Sequence, residues 1–144
     1  MIAYKGFDPG LICRGYRFVM GKNVTEKANC GNNGFHCAEN PLDCLNYYSD
    51  MDHAEYYLVN AGGDIDEQGN DTKISCTELI IVKKLERKEF FLHSLAFMVD
   101  HPSRKWSSAV HADHAEARNG YAVVRGVEPA ACGNLGDILA LAQE

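Results

Sequence analysis

The chain opens on a mostly apolar stretch, and 2–7 reads as a short strand. Asp8-Pro9-Gly10 then predicts a turn, because proline fixes φ at its second position and glycine accepts positive φ at its third. A second strand follows over 11–20, with Cys13 near its start and Tyr16, Phe18 and Met20 alternating onto one face. Gly31-Asn32-Asn33-Gly34 is a loop, and 34–38 a brief strand. Asn40 suits an N-cap and Pro41 the first helical position, so a helix over 41–49 is predicted. It would bury Leu42, Leu45 and Tyr48.

A strand over 55–61 closes at Gly62-Gly63, and the acidic stretch 64–71 follows as an exposed hairpin tip. Residues 73–82 alternate β-branched side chains around Cys76 and make the best strand of the chain. A helix over 86–99 carries Phe90, Phe91, Leu92, Leu95, Phe97 and Met98, apolar nearly all round, so it belongs in a core or an interface. His101-Pro102 ends it. From Ser107 small residues recur between glycines at 120, 126, 133 and 136, a pattern that suggests stacked β-coils. The composition also permits an alanine-rich helix over 108–118.

The pattern therefore predicts one α+β domain over 1–144. Residues 1–100 form a small mixed or antiparallel sheet with two helices, and 104–144 a short β-solenoid-like segment. Apolar residues make up 46%, ordinary for a globular chain. A net charge of −6 argues against direct nucleic-acid binding, which needs clustered Lys and Arg. It suits a partner with a basic surface instead. No apolar run reaches transmembrane length, and the N-terminus lacks the charged and apolar regions of a signal peptide. A cytoplasmic location with reduced cysteines is expected.

Four of the six cysteines, Cys13, Cys30, Cys37 and Cys44, fall in the first third, with His36 beside one of them. Thiolate and imidazole ligands favour zinc, so Cys13, Cys30, His36 and Cys37 form the candidate metal set. Cys44 and His53 are reserves. The spacing lacks the close ligand pair of most structural zinc sites, and adjacent His36 and Cys37 point to opposite faces of a regular strand. Without a metal these cysteines are small buried hydrophobes.

Tyr4-Lys5-Gly6-Phe7, Cys13-Arg14-Gly15, Gly34-Phe35-His36, Asn40-Pro41-Leu42-Asp43 and Tyr47-Tyr48 together resemble an uncharacterised family found in phages and prophages. The segments 121–127 and 133–142 resemble it as well, and there they imply the closing coils of a short β-solenoid. The family usually reads Gly-Phe-His-x-Cys, whereas Cys37 here follows His36 directly, which flips the cysteine to the other strand face. The resemblance implies a phage origin in a bacterial host cell and no assigned activity. In size and acidity the chain is also similar to anti-CRISPR proteins, which implies a host CRISPR effector nuclease as the basic partner.

A second resemblance is to the nicotinamide-binding core of ADP-ribosyltransferases. It implies NAD in a pocket lined by Tyr4, His36 and Tyr48, with Glu78 as the acidic residue. The competing expectation is that the two tyrosines pack and send their hydroxyls to the surface. His101, His111 and His114 are expected to be solvated, and the acidic rim of Asp50, Asp52, Asp64, Asp66 and Glu67 is either a recognition surface or a solvated loop. Trp106 and the 90–98 segment are anchors if exposed. The expectation from sequence is a non-enzymatic, zinc-stabilised protein-binding module that inhibits a host defence nuclease. An NAD-binding enzyme is the alternative. An open coil end can stack on a second copy, which is compatible with a homodimer.

Overall fold

The computed structural model describes residues 1–67 and 69–144, so Gln68, inside the expected acidic tip, lies outside the described residues. The chain is α+β and strand-rich, and its contacts divide it into two units, Met1–Glu86 and Arg87–Glu144.

In the first unit, strands β1 (Ile2–Phe7), β2 (Ile12–Cys13), β3 (Tyr16–Arg17), β4 (Gly21–Val24) and β5 (Phe35–Ala38) precede a long hairpin of β6 (Glu55–Glu67) and β7 (Lys73–Leu85). β1 lies antiparallel along the outer side of β6, and β5 and β4 follow one another along the outer side of β7. Register shifts at Leu58/Val59 and Gly62/Ile65 bend the hairpin. That curvature brings β5 round to β1, where the pair Tyr4–Ala38 joins the two ends of the sheet.

Inside the curled sheet pack Ala3 and Phe7 of β1, Phe35 of β5, Tyr57 and Val59 of β6, and Leu79 of β7. Phe7 meets Phe18 and Tyr57 edge-on, each at 5.3 Å between ring centres. Buried rings in such contact bring a large apolar area into a small core.

The strand expected over 11–20 is instead a tight two-residue hairpin. Arg14 and Gly15 take φ of 51° and 79°, the positive pair of a type I′ turn, and Cys13 pairs with Tyr16 across it. Asn23 then ties the 19–23 bend, donating to Val19 O at 2.9 Å and accepting from Val19 N at 3.0 Å. Phe18 is consequently buried while Tyr16 and Met20 are exposed, which breaks the expected common face.

The expected helix at 41 is a 3-10 helix, Pro41–Asn46, capped by Asn40 Oδ1, which accepts from Leu42 N at 3.1 Å. It is tied to the β6–β7 turn. Thr72 donates its N–H and hydroxyl to Asp43 Oδ2 at 2.9 and 2.7 Å, and Asn46 and Tyr47 donate to Asp71.

In the second unit, helix α1 (Arg87–Asp100) is followed by β8 (Val110–Glu116), β9 (Tyr121–Cys132) and β10 (Ile138–Gln143). The helical alternative for 108–118 is not adopted. β8 and β10 pair on either side of β9, both in parallel. β9 pairs with β8 in two blocks, Val123–Arg125 and Ala130–Cys132, which match the bend at Asp113 (φ 67°) in β8. α1 buries Phe90, Phe91, Ser94 and Met98 but leaves Leu92 and Val99 exposed, and Phe91 lies 5.1 Å from the Tyr121 ring.

Arg125, only 7% exposed, holds the C-terminal part of this unit. Its Nε donates to Glu144 at 2.6 Å, its NH2 group to Pro102 O at 3.0 Å, and its Cζ lies 4.8 Å from the centre of the exposed Trp106 ring. Arg125→Ala is expected to destabilise the protein by about 2 kcal/mol, and Arg125→Lys by nearly as much, because lysine lacks the fork. Urea unfolding of the two variants against the parent measures this.

Candidate functional site: a cationic, tyrosine-walled cavity

The strand β1 carries an anomaly in its alternation. Lys5 shares a face with Ala3 and Phe7, which places an ammonium inside the curled sheet, and the residue is 3% exposed. A cation cannot be buried there without donors' partners. Nζ donates to the His36 carbonyl and to Cys13 Sγ at 3.5 Å, and it sits 5.3 and 5.2 Å from the Phe7 and Phe18 ring centres.

Around this lysine opens a cavity of about 600 Å³. The 13–16 hairpin contributes Cys13 and Arg14 to its wall, β5 contributes His36 and Cys37, and the 3-10 helix and its exit contribute Cys44, Tyr47 and Tyr48. Tyr4 and Asp8 come from β1 and the turn after it, and Lys73 from β7. Gly6 makes the Tyr48 position accessible, because a Cβ there would fall 2.8 Å from the Tyr48 ring. Tyr48 in turn donates its hydroxyl to Cys13 Sγ at 3.1 Å. Lys73 Nζ lies 4.7 Å from the Tyr47 ring centre.

The electrostatics of the cavity run against the −6 charge of the whole chain. Burial first, and then the cations Lys5, Lys73 and Arg14, hold the His36 imidazole down to about 4. His36 is therefore neutral at pH 7, with Nε2 accepting from the Gly31 N–H at 2.8 Å. Burial also raises the phenols of Tyr4, Tyr47 and Tyr48, so they stay protonated donors. The arrangement offers neutral donors and several positive charges to whatever enters, with Asp8 as a carboxylate at the wall.

The residues expected to share a zinc ion have separate engagements. Cys13 Sγ faces Lys5 and Tyr48, and Cys30 Sγ faces the Lys73 carbonyl at 3.7 Å. His36 faces Gly31, and Cys37 is hydrogen-bonded to Cys76 across β5 and β7. Among the described residues no three His, Cys, Asp or Glu side chains are grouped as metal ligands. Cys44 is buried on the cavity wall, its thiol pushed up to about 12 mainly by burial, and exposed His53 pairs with Asp50 at 2.7 Å.

Tyr4, His36 and Tyr48, the trio implied by the nicotinamide resemblance, do line one cavity. Glu78 sits elsewhere, on the β4–β7 side, 3.7 Å from Lys22. His111 and His114 are exposed on β8, and His101 is exposed and stacked on Phe97 at 4.3 Å.

The family comparison covers this unit. A model described as a domain of unknown function, DUF7666, matches residues 1–93. The chain belongs to that family. Every residue named on the cavity wall lies within the DUF7666 match. No curated protein and no solved structure matches the chain.

From sequence, Lys5 and Arg14 stand only within the family motifs and Lys73 only at the start of a strand, none of them as a site residue. Lys5 had a readable signal, since period-2 alternation puts it between Ala3 and Phe7 on one face. Arg14 and Lys73 had none, because only the fold brings their segments together.

Two outcomes follow from the charge pattern. In a ring-proton NMR titration His36 is expected to titrate near 4, whereas His53, held up by its hydrogen bond to Asp50, titrates above its ordinary 6.5. Because the His36 value in the fold lies below its unfolded 6.5, its contribution to stability is complete above pH 6.5. That contribution is lost as pH falls from 6.5 toward 4, where the unfolded chain binds the extra proton. Urea midpoints should fall across this window, and His36→Gln should flatten that fall. Separately, Gly6→Ala should displace Tyr48 and cost about 2 kcal/mol, read as a lower thermal midpoint.

Proposed function

We infer that the first unit binds a small anionic ligand carrying an aromatic ring, of the nucleotide class, in the Lys5 cavity. The observation that carries this reading is the convergence of Lys5, Arg14 and Lys73 on a neutral His36 in an otherwise acidic protein. Guanidinium and ammonium groups suit phosphate oxygens, and the Tyr4, Tyr47 and Tyr48 rings offer flat surfaces for a base. A cavity of about 600 Å³ is in the range of small-ligand sites.

The reading is of binding rather than ADP-ribosyl transfer, because Glu78 pairs with Lys22 away from the cavity. A zinc held by Cys13, Cys30, His36 and Cys37 would require each ligand atom to leave its present partner. In the second unit we read β8, β9 and β10 as coils of a short β-solenoid, since consecutive strands pair in parallel, β8 with β9 and β9 with β10.

The second reading is a phage-encoded module that engages a basic protein surface, such as a host defence nuclease. It is favoured by the exposed Asp64, Asp66 and Glu67 on β6, with exposed Asp50 and Asp52. Such charge speeds encounter more than it adds affinity.

Calorimetric titration with NAD, ADP and inorganic pyrophosphate separates the two. Micromolar binding of NAD or ADP is expected, weakening with salt and dropping about tenfold, roughly 1.4 kcal/mol, in Arg14→Ala and in Lys73→Ala. Absence of binding by all three compounds would overturn the nucleotide reading. Replacement of the β6 carboxylates by amides should leave that affinity unchanged.

A further inference from the structure

Six cysteines offer a comparison within one molecule. Cys132 is exposed, and the other five are buried. Three of the buried five, Cys13, Cys37 and Cys44, reach the wall of the Lys5 cavity, so all three meet whatever enters it. Their surroundings differ. Burial is the leading cause that raises Cys44, and a hydrogen bond with Cys76 followed by burial raises Cys37. Cys13 alone of the three has two donors aimed at its sulfur, the Lys5 ammonium at 3.5 Å and the Tyr48 hydroxyl at 3.1 Å. An adjacent cation and a hydroxyl donor stabilise negative charge on sulfur, and the thiolate is the nucleophile.

We propose that Cys13, with Lys5 and Tyr48 as positioning residues, is the nucleophilic centre of this cavity for a soft electrophilic carbon such as that of an α,β-unsaturated carbonyl. The reaction is an addition. The sulfur forms a bond to the β-carbon, the carbon–carbon π bond breaks, and the thiol proton ends on the α-carbon, taken up through solvent in the cavity. Nothing leaves, and no oxidant or reductant is needed. The Lys5 ammonium and the Tyr48 hydroxyl both point at Sγ and fix its direction as the new bond forms. The inference goes beyond the nucleotide reading and stands whether or not a nucleotide binds.

The test treats the full chain with substoichiometric N-ethylmaleimide at pH 7, quenches with excess thiol, and measures modification of each cysteine by peptide mass spectrometry. Cys13 is expected to react about tenfold faster than Cys37 and Cys44 and at least as fast as Cys132. Tyr48→Phe, which removes one oxygen, should slow Cys13 by about tenfold with Cys132 unchanged, and Lys5→Met should slow it further. The unchanged Cys132 rate alone does not report folding, so circular dichroism accompanies each variant. If Lys5→Met fails to fold, Tyr48→Phe decides. Modification of Cys13 no faster than Cys37 and Cys44 would overturn the proposal, because access alone would then set the order. So would an unchanged Cys13 rate in folded Tyr48→Phe.

Discussion

An ammonium held inside a curled sheet is the constraint on which the first unit depends. Lys5 projects between Ala3 and Phe7, where a hydrophobic side chain would satisfy packing alone. Its charge requires acceptors, and they come from separate segments: the Cys13 sulfur, the His36 carbonyl and the faces of Phe7 and Phe18. Each acceptor fixes one of the segments that surround the cavity. The 13–16 hairpin, the 18–23 bend and β5 are thus set by what the lysine needs as well as by the strand ladder.

Closure of the sheet makes this arrangement available. Two bulges in the β6–β7 hairpin bend it until β5 meets β1 at Tyr4–Ala38. The cavity forms beside that join, with the 3-10 helix anchored by Asp43 and Asp71 to the hairpin turn. Short elements with many side-chain ties suit a small wall that must hold tyrosine hydroxyls in fixed directions. The second unit uses another device, a three-stranded parallel sheet with small buried residues such as Ala115 and Ala122, its C-terminal end held by Arg125.

Much of the element order could be read from the chain. β1, β5, β7 and α1 lie where the residue pattern, the turn residues and the His101-Pro102 stop place them, and Asn40 is the N-cap. β6 instead passes the expected stop at Gly62-Gly63 through a register shift and runs to Glu67, so most of the expected acidic tip is paired strand. Over 11–20 the alternation at 16, 18 and 20 favours one straight strand, while positive φ at Arg14 and Gly15 turns the chain back. The 41–46 helix came out as 3-10, its polar side chains being claimed by the hairpin turn rather than by a continuing helix. For the site, Tyr4, His36 and Tyr48 line one cavity, while Glu78, implied with them by the nicotinamide resemblance, pairs with Lys22 elsewhere. The cysteines carried chemistry in the sequence reading that their spacing could not place, since a thiol's partners lie on other strands.

By itself the sequence determined that the chain is α+β, where its main strands and its long helix lie, and that a lysine interrupts an otherwise apolar strand face. These are local matters of periodicity, capping and turn residues. Only the tertiary structure decided that the sheet closes, that Cys13 faces Lys5 and Tyr48 rather than Cys30, and that Arg14 and Lys73 share a cavity. Those are long-range pairings set by register and by two bulges. A shift of one residue along any of these strands would turn the same side chains to the opposite face.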